Sequence, residues 1–358
     1  MNIIKATASY EAWLSKQTPL IKADLKFKHE MMRAGLFSFL RGTYYRWAQI
    51  WTANCPELTK DTVVLAVGDL HVENFGTWRD VDGRLVWGIN DFDEVHSLPF
   101  TNDLVRLAVS AWLAIETGEL SIASDAACSA VMEGYRACLK VGGQPVVLAD
   151  SSSPLRTMAR ARLDQPERLW LKLHSHPPER RPVPKEAMRA IKSLLPEQGI
   201  VLRFLHRVAG IGSLGKERFT GIGSWQGGYI VREAKALTAS ACDWAEGKKG
   251  CKIRYEKMLH KAVRCLDPLV QVRGKWLVRR LSPDCFKIPL SHLPKRRNER
   301  DLLYWMGWET ANIHLGSTGA KKLAKQLKRK PANWLEKAAA AMTRATKLDW
   351  KEWRGKKA

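Results

Sequence analysis

The sequence predicts an α+β chain of two lobes. A mostly helical lobe is carried by residues 1–200, a β-rich lobe by residues 201–285, and residues 286–358 form helices that return to the first lobe. Three observations predict this. Apolar residues recur at helical spacing in the first third of the chain. Short β-branched and aromatic runs separated by glycine-rich turns fill residues 201–281. The remainder reads as helix again, ending in a basic tail. A chain of 358 residues is long enough to bury a large core.

In chain order, Leu25, Met32, Leu36, Phe39 and Leu40 set a helical register over residues 20–53, with Gly35 and Gly42 as interruptions. Thr62–Val67 is a β-branched run, and Arg84–Ile89 is a second strand after the Asp82-Gly83 turn. Together they suggest a small hairpin-like unit. Asn102 or Asp103 is placed to cap a helix over Leu104–Thr117, and Ser121 to cap another reaching Lys140, stopped by Gly142-Gly143. Pro177-Pro178, Pro182 and Pro184 break residues 144–199 into helical pieces and irregular surface.

From residue 201 the pattern becomes strand (Val201–Val208), glycine-rich turn, strand (Lys216–Gly221), turn, strand (Tyr229–Lys235). A helix over Cys251–Cys265 follows, then two strands, Leu269–Val272 and Trp276–Leu281, pairing across Arg273-Gly274-Lys275. Residues 299–316 form a helix. The tail from Lys321 is helical and carries 13 Lys/Arg against three Asp/Glu.

Composition narrows the class. Hydrophobic content of 45% and charged content of 27% suit a water-soluble globular chain, and no apolar run of about 18 residues predicts a membrane span. Residues 1–20 lack the charged start and apolar block of a secretory signal. The seven cysteines (Cys55, Cys128, Cys138, Cys242, Cys251, Cys265 and Cys285) are scattered without a C-x-x-C pair. Reduced thiols in a cytoplasmic protein, without structural zinc, are expected. A net charge of +23 creates a positive potential that favours polyanionic partners, and the 15 tryptophans add stacking surface. Core packing of the tryptophans and solvation of the lysines is the plainer account of both.

The chemistry concentrates in Gly68-Asp69-Leu70-His71-Val72-Glu73-Asn74 and in Asn90-Asp91-Phe92-Asp93, each after a strand. Asp69 suits the orientation of an attacking hydroxyl or acceptance of its proton, Asn74 offers a neutral oxygen for magnesium, and His71 suits orientation of the loop. Carboxylates as close as Asp91 and Asp93 repel unless a cation or proton separates them, so Asp91 is the expected main metal ligand and Asp93 a second one. That inventory points to phosphoryl transfer. Asp103 reads as structural.

The segment Gly210-Ile211-Gly212-Ser213-Leu214-Gly215 precedes an alternating, strand-like stretch rather than a helix, which suits a glycine hairpin lying over phosphates better than a dinucleotide fold. Lys235, at the end of the third strand, is the preferred phosphate cation, with Arg232 as its rival on the opposite face. Glu256 is a candidate partner for that cation, and Arg279 and Arg280 are either surface or phosphate contacts. His174-Ser175-His176 lacks metal-ligand spacing and reads as loop. Ser213 lacks a G-x-S-x-G frame, so serine-hydrolase chemistry has no support.

At these residues the chain resembles a family. GDLHVENFG and INDFDE resemble the catalytic and metal-binding loops of aminoglycoside and choline phosphotransferases in the protein-kinase-like superfamily. Together with Phe39-Leu40-Arg41-Gly42, GIGSLG and VREAKAL they resemble, over about residues 30–316, the uncharacterised bacterial DUF2252 family. The resemblance implies a bilobal kinase-like fold binding ATP and Mg2+, with Asp69 matching the catalytic base and Asn74 and Asp91 the metal ligands. Gly210, Gly212 and Gly215 match the phosphate loop, and Lys235 the strand lysine. Val67 stands where many kinases have histidine, and Asp93 where protein kinases have the glycine of D-F-G. Both departures point towards small-molecule phosphotransferases or a separate family. In kinases the glycine loop and lysine precede the catalytic loop; here they follow it, which implies a circular permutation. The expected activity is Mg2+-dependent, ATP-using phosphotransfer to an unidentified, anionic or neutral acceptor hydroxyl. The alternatives are nucleic-acid or polyanion binding on a kinase-like scaffold, and nucleotidyl (AMP) transfer.

Overall fold

The computed structural model describes residues 1–149, 154–248, 252–287 and 297–355. Cys251 and the last three residues of the basic tail lie outside it. The other six cysteines are free thiols.

The N-terminal third is helical: α1 (Ile3–Leu14), α2 (Lys22–Ala34), α3 (Leu36–Gly42) and α4 (Tyr44–Asn54). Gly35, with extended backbone, separates α2 from α3, as the sequence suggested. Next come β1 (Val63–Ala66), β2 (Phe75–Arg79), β3 (Leu85–Ile89) and β4 (His96–Pro99). The expected hairpin between the first and third of these does not form. β1 pairs antiparallel with β4, whereas β3 lies between β2 and β5 (Val146–Val147). β2 and β4 lacked the β-branched runs that mark strands in sequence, so the real partners were invisible.

The helices α5 (Phe100–Glu116) and α6 (Ser124–Val141) lie beside α12 (Arg297–Leu315), and α14 (Trp334–Gly355) covers α5. Backbones of α6 and α12 nearly touch. An added Cβ at Gly134 would overlap the Tyr304 carbonyl oxygen, and one at Gly307 the Val131 carbonyl oxygen. This return of the C-terminal helices creates one continuous apolar core with α3, α4 and β1. Two capping expectations are corrected. α5 starts at Phe100 and α6 at Ser124, with neither Asp103 nor Ser121 as cap. Asp103 bonds a loop backbone, and the Ser121 hydroxyl pairs with Glu299. Gly142 ends α6 in the left-handed conformation, as expected.

Helices α7 (Pro154–Leu163), α8 (Glu167–His174) and α9 (Lys185–Lys192) lead to a five-stranded antiparallel sheet. Its strands are β6 (Arg203–Leu205), β7 (Arg218–Trp225), β8 (Gly228–Ala236), β9 (Val270–Arg273) and β10 (Trp276–Arg280), in the order β6-β7-β8-β10-β9. α10 (Ala241–Ala245) and α11 (Tyr255–Lys261) connect β8 to β9, and α13 (Ala320–Leu327) precedes α14. α9 packs Ala187, Ala190 and Ile191 on one sheet face, against Ala234, Ala236 and Trp276, so this helix belongs with the sheet although it precedes residue 201. The opposite face carries Leu205, Ile222 and Val231, packed with Leu173 of α8, and a set of charged residues. The register sets Arg218 across from Lys235, Thr220 from Glu233 and Arg279 from Glu233. Alternation therefore projects Arg218, Glu233, Lys235 and Arg279 to one side. Among the described residues no helix is long and apolar enough to cross a membrane.

Candidate active site

The chain leaves β1 through Val67 and Gly68. The Asp103 carboxylate accepts from both backbone N–H groups, at 2.7 and 2.9 Å, and is held from behind by His314 Nε2 at 3.1 Å. Gly68 has φ +83°, and a Cβ there would run into the Glu94 carbonyl oxygen and Tyr44, so only glycine permits this turn. Asn74 Oδ1 accepts from His71 N–H at 2.7 Å, closing the loop, and Asn90 N–H donates to the Asn74 carbonyl at 3.0 Å. That last bond ties the two acidic loops together. The His71 Nδ1 accepts from Glu73 N–H at 3.2 Å, so the ring orients the loop, and burial, then Arg41, holds it neutral. One Asn74 oxygen lone pair remains for another partner.

These loops meet the glycine segment. Asp69, His71, Asn74, Asp91, Asp93, Gly210, Gly212 and Ser213 line one cavity of about 50 Å3. Gly212 packs close enough that an added Cβ would lie 3.3 Å from the Arg41 carbonyl oxygen and 3.5 Å from Asp69 Oδ2. The glycine segment is not a β-hairpin tip, as the sequence suggested, but a connection containing a 3-10 turn, Ile211–Ser213, packed on α3. The Ser213 hydroxyl serves that turn, donating to the Gly210 carbonyl at 3.0 Å and accepting from Arg218 at 2.9 Å. Gly215 does not line the cavity. Its φ of +93° and its packing against Leu25 make it a structural glycine.

The electrostatics divide the carboxylates. Arg106, 1% exposed, donates twice to Asp69 Oδ1, at 2.7 and 3.1 Å, while stacking over Trp47 and Tyr44. Burial nonetheless raises the Asp69 carboxyl above its ordinary range, with Arg106 opposing and Asp91 adding to the rise. Asp93 behaves oppositely. Against burial, Lys235 at 2.6 Å and Lys216 at 3.3 Å hold it far below the ordinary carboxylate range. Both lysines bind Oδ2; Asp93 Oδ1 is buried with no hydrogen-bond partner among the described residues. Asp91 is 40% exposed and lies 3.5 Å from Lys235. Glu94 also lines the cavity, and burial pushes it up to about 7. Lys28 of α2, pushed down to about 8 by burial, donates to the Gly212 carbonyl at 3.4 Å.

Lys235 faces the site and Arg232 does not. The Arg232 guanidinium lies under α9, donating to the Leu194 carbonyl at 2.8 Å, because alternation turns it to the apolar face. Glu256 is exposed and is no partner of Lys235, whose ion pairs among the described residues are to Asp91 and Asp93. Sequence reasoning missed Lys28, Glu94, Arg106 and Lys216. Glu94 adjoined a motif already in view; the others carried no local signal.

A larger cleft of about 380 Å3 adjoins this cavity, sharing Asp91, Gly210, Ser213 and Lys287 with it. Lys235, Arg279 and Arg280 line it. Residues 20–181 match the model of a family described as "Uncharacterized protein conserved in bacteria (DUF2252)". The match covers the Asp69–Asn74 and Asp91–Asp93 loops and Arg106, and ends before the glycine segment. No curated protein and no solved structure matches the chain.

Proposed function

We propose that the chain is a kinase-like phosphotransferase that uses ATP and magnesium, with its two lobes in permuted order. One observation carries this reading: acidic loops from the first third of the chain and a glycine turn from beyond residue 209 close on a single cavity holding Asp69, Asp91, Asp93 and Glu94. Four carboxylates in so small a space repel one another unless cations intervene. Lys216 and Lys235 answer for one oxygen of Asp93, and Asp93 Oδ1 is left as an acceptor that a cation would satisfy. The donor set is all oxygen, which fits magnesium. Asp91, Asp93 Oδ1 and Asn74 Oδ1 would hold the ion, which when bound supplies charge neutralisation to phosphate oxygens.

Asp69 is the group for the acceptor. Its Oδ1 is fixed by Arg106, and its raised proton affinity suits it to orient a hydroxyl and take its proton. The acceptor oxygen bonds to the γ-phosphorus as the bond to the β–γ bridging oxygen breaks, ADP leaves, and the hydroxyl proton goes to Asp69. Gly210 and Gly212 give close backbone approach, and Lys235 offers its charge at the edge shared by the two cavities. Catalysis would come mainly from positioning and charge.

The test is nucleotide turnover by the purified 358-residue chain with ATP and magnesium, with water as acceptor. Asp91→Ala should abolish metal-dependent release of ADP while keeping the wild-type circular dichroism and melting midpoint. Undiminished release by that variant rejects the assignment, and pyrophosphate as product in place of ADP would make the enzyme a nucleotidyl transferase. A second reading, polyanion or nucleic-acid binding, is favoured by the net charge of +23 and by exposed Lys321, Lys322, Lys325 and Lys328 on and beside α13. It predicts gel shifts of an oligonucleotide that weaken steeply between low and moderate salt; no shift at low salt excludes it.

A further inference from the structure

The larger cleft contains a charge arrangement that the reading above does not use. Glu233, fully buried, receives three guanidinium groups. Arg218 donates at 2.6 Å, Arg207 at 2.7 Å, and Arg279 at 2.8 and 3.0 Å, while the Thr220 hydroxyl adds a bond at 3.0 Å. One carboxylate balances one of these cations, so the cluster retains two positive charges. Arg218 also donates to the Ala209 carbonyl and the Ser213 hydroxyl, whereas Arg207 and Arg279 hydrogen-bond to Glu233 alone among the described residues. The three arginines hold Glu233 well below its ordinary range against its burial, so the carboxylate stays ionised and acts as a fixed anchor for them.

The anchor leaves donors over. Arg207 spends Nη1 alone on Glu233, and Arg279 spends Nε and Nη2; neither makes another hydrogen bond among the described residues. Both side chains retain access to the cleft, at 20% and 26% exposure, and both line it. α8 also lines the cleft, contributing Arg168 and Lys172. Guanidiniums already fixed in place lose little freedom on binding a planar or tetrahedral oxyanion, and their forked donors match it.

We infer that Arg207 and Arg279, held by Glu233, form an anion subsite for a phosphate group of a small phosphorylated ligand, separate from the carboxylate cavity. The cleft volume of about 380 Å3 is that of a small-molecule site rather than of a nucleic-acid groove. Under the phosphotransfer reading, on which only the direction of the ligand rests, its reacting end, the γ-phosphoryl of a nucleotide or the hydroxyl of an acceptor, points towards Asp91 and Lys235. The phosphate belongs either to the nucleotide's own tail or to a phosphorylated acceptor, and the chemistry recognised is the same.

Metal-free calorimetric titration of the 358-residue chain with pyrophosphate tests the subsite. Saturable binding is expected, weakened about tenfold or more by Arg279→Gln and by Arg207→Gln. Lys172→Glu, an exposed change on α8 that leaves the Glu233 cluster whole, should weaken it as well, and Lys60→Gln, in the exposed turn before β1, should not. Citrate should bind more weakly than pyrophosphate. Pyrophosphate that still binds the ATP-loaded protein marks the acceptor's phosphate; pyrophosphate displaced by ATP marks the nucleotide's tail. Absence of saturable binding, equal binding of citrate, or unchanged affinity in folded Arg279→Gln and Lys172→Glu proteins overturns the inference. Asp91→Ala separates the two readings, because it should end turnover while pyrophosphate binding persists.

Discussion

Removing Arg106 tests how the candidate base is held. Arg106→Met keeps much of the aliphatic stem but withdraws two charge-assisted hydrogen bonds from Asp69 Oδ1 and one, at 2.7 Å, from the Leu40 carbonyl. It also removes a cation stacked 4.7 Å from the Trp47 ring centroid and 5.4 Å from that of Tyr44. Breaking a buried ion pair costs about 3–5 kcal/mol, and the lost stacking about 1 kcal/mol more. The cost depends on pH with a definite sign. Burial already makes folded Asp69 bind its proton more tightly than the unfolded chain does, so this group draws stability down as pH climbs above the ordinary carboxylate range. Without Arg106 that slope steepens. The loss should be about 4–6 kcal/mol at pH 8 and clearly smaller at pH 5, where Asp69 can take up a proton. Urea unfolding at both pH values measures it. The double variant Asp69→Asn/Arg106→Met should recover about 2 kcal/mol or more relative to additivity at pH 8. A loss below about 1 kcal/mol at pH 8, or the same loss at both pH values, would refute the idea that Arg106 is what keeps Asp69 ionised.

Other changes should follow the same structural logic. Glu94, raised by burial to about 7, contributes stability that is full below its unfolded value near 4.5 and is lost as pH rises through 7. Glu94→Gln should flatten the melting midpoint across that window, and an unaltered pH profile would contradict the burial argument. Gly134→Ala should cost about 3 kcal/mol or more in chemical denaturation, because its methyl must displace the α12 backbone at Tyr304; a near-neutral effect would mean the two helices separate easily. Lys235→Gln should abolish magnesium–nucleotide turnover, whereas Arg232→Gln should lower stability while leaving turnover within a few-fold of wild type. Equal turnover losses in the two folded variants would show that the sheet face does not discriminate between them.

How much was legible can be read from particular residues. Strand alternation separated Lys235 from Arg232 in principle, and the register of β8 against β7 and β10 made the choice: one points to the acidic loops, the other under α9. Asp69, His71, Asn74, Asp91 and Asp93 announced themselves because short loops after strands concentrate polar groups with few local partners. Lys28, Arg106 and Lys216 did not, since each sits in an otherwise ordinary helix or strand approach and matters only through what it meets in space. The pairing of β1 with β4 was hidden because β4, His96–Pro99, has neither alternation nor β-branched residues.

The sequence by itself determined the α+β class, most of the helices, the five-strand pattern beyond residue 201 and the acidic loops, because periodicity, turn chemistry and local motifs are properties of neighbours in the chain. Tertiary structure alone decided that Gly212 lies against Asp69, that Asp93 is gripped by two lysines, and that Glu233 gathers three arginines. Those contacts join segments more distant in sequence than any local rule reaches. They exist because the register of β7, β8 and β10 turns Arg218, Glu233, Lys235 and Arg279 to one sheet face, and because the Ile211–Ser213 turn packs on α3.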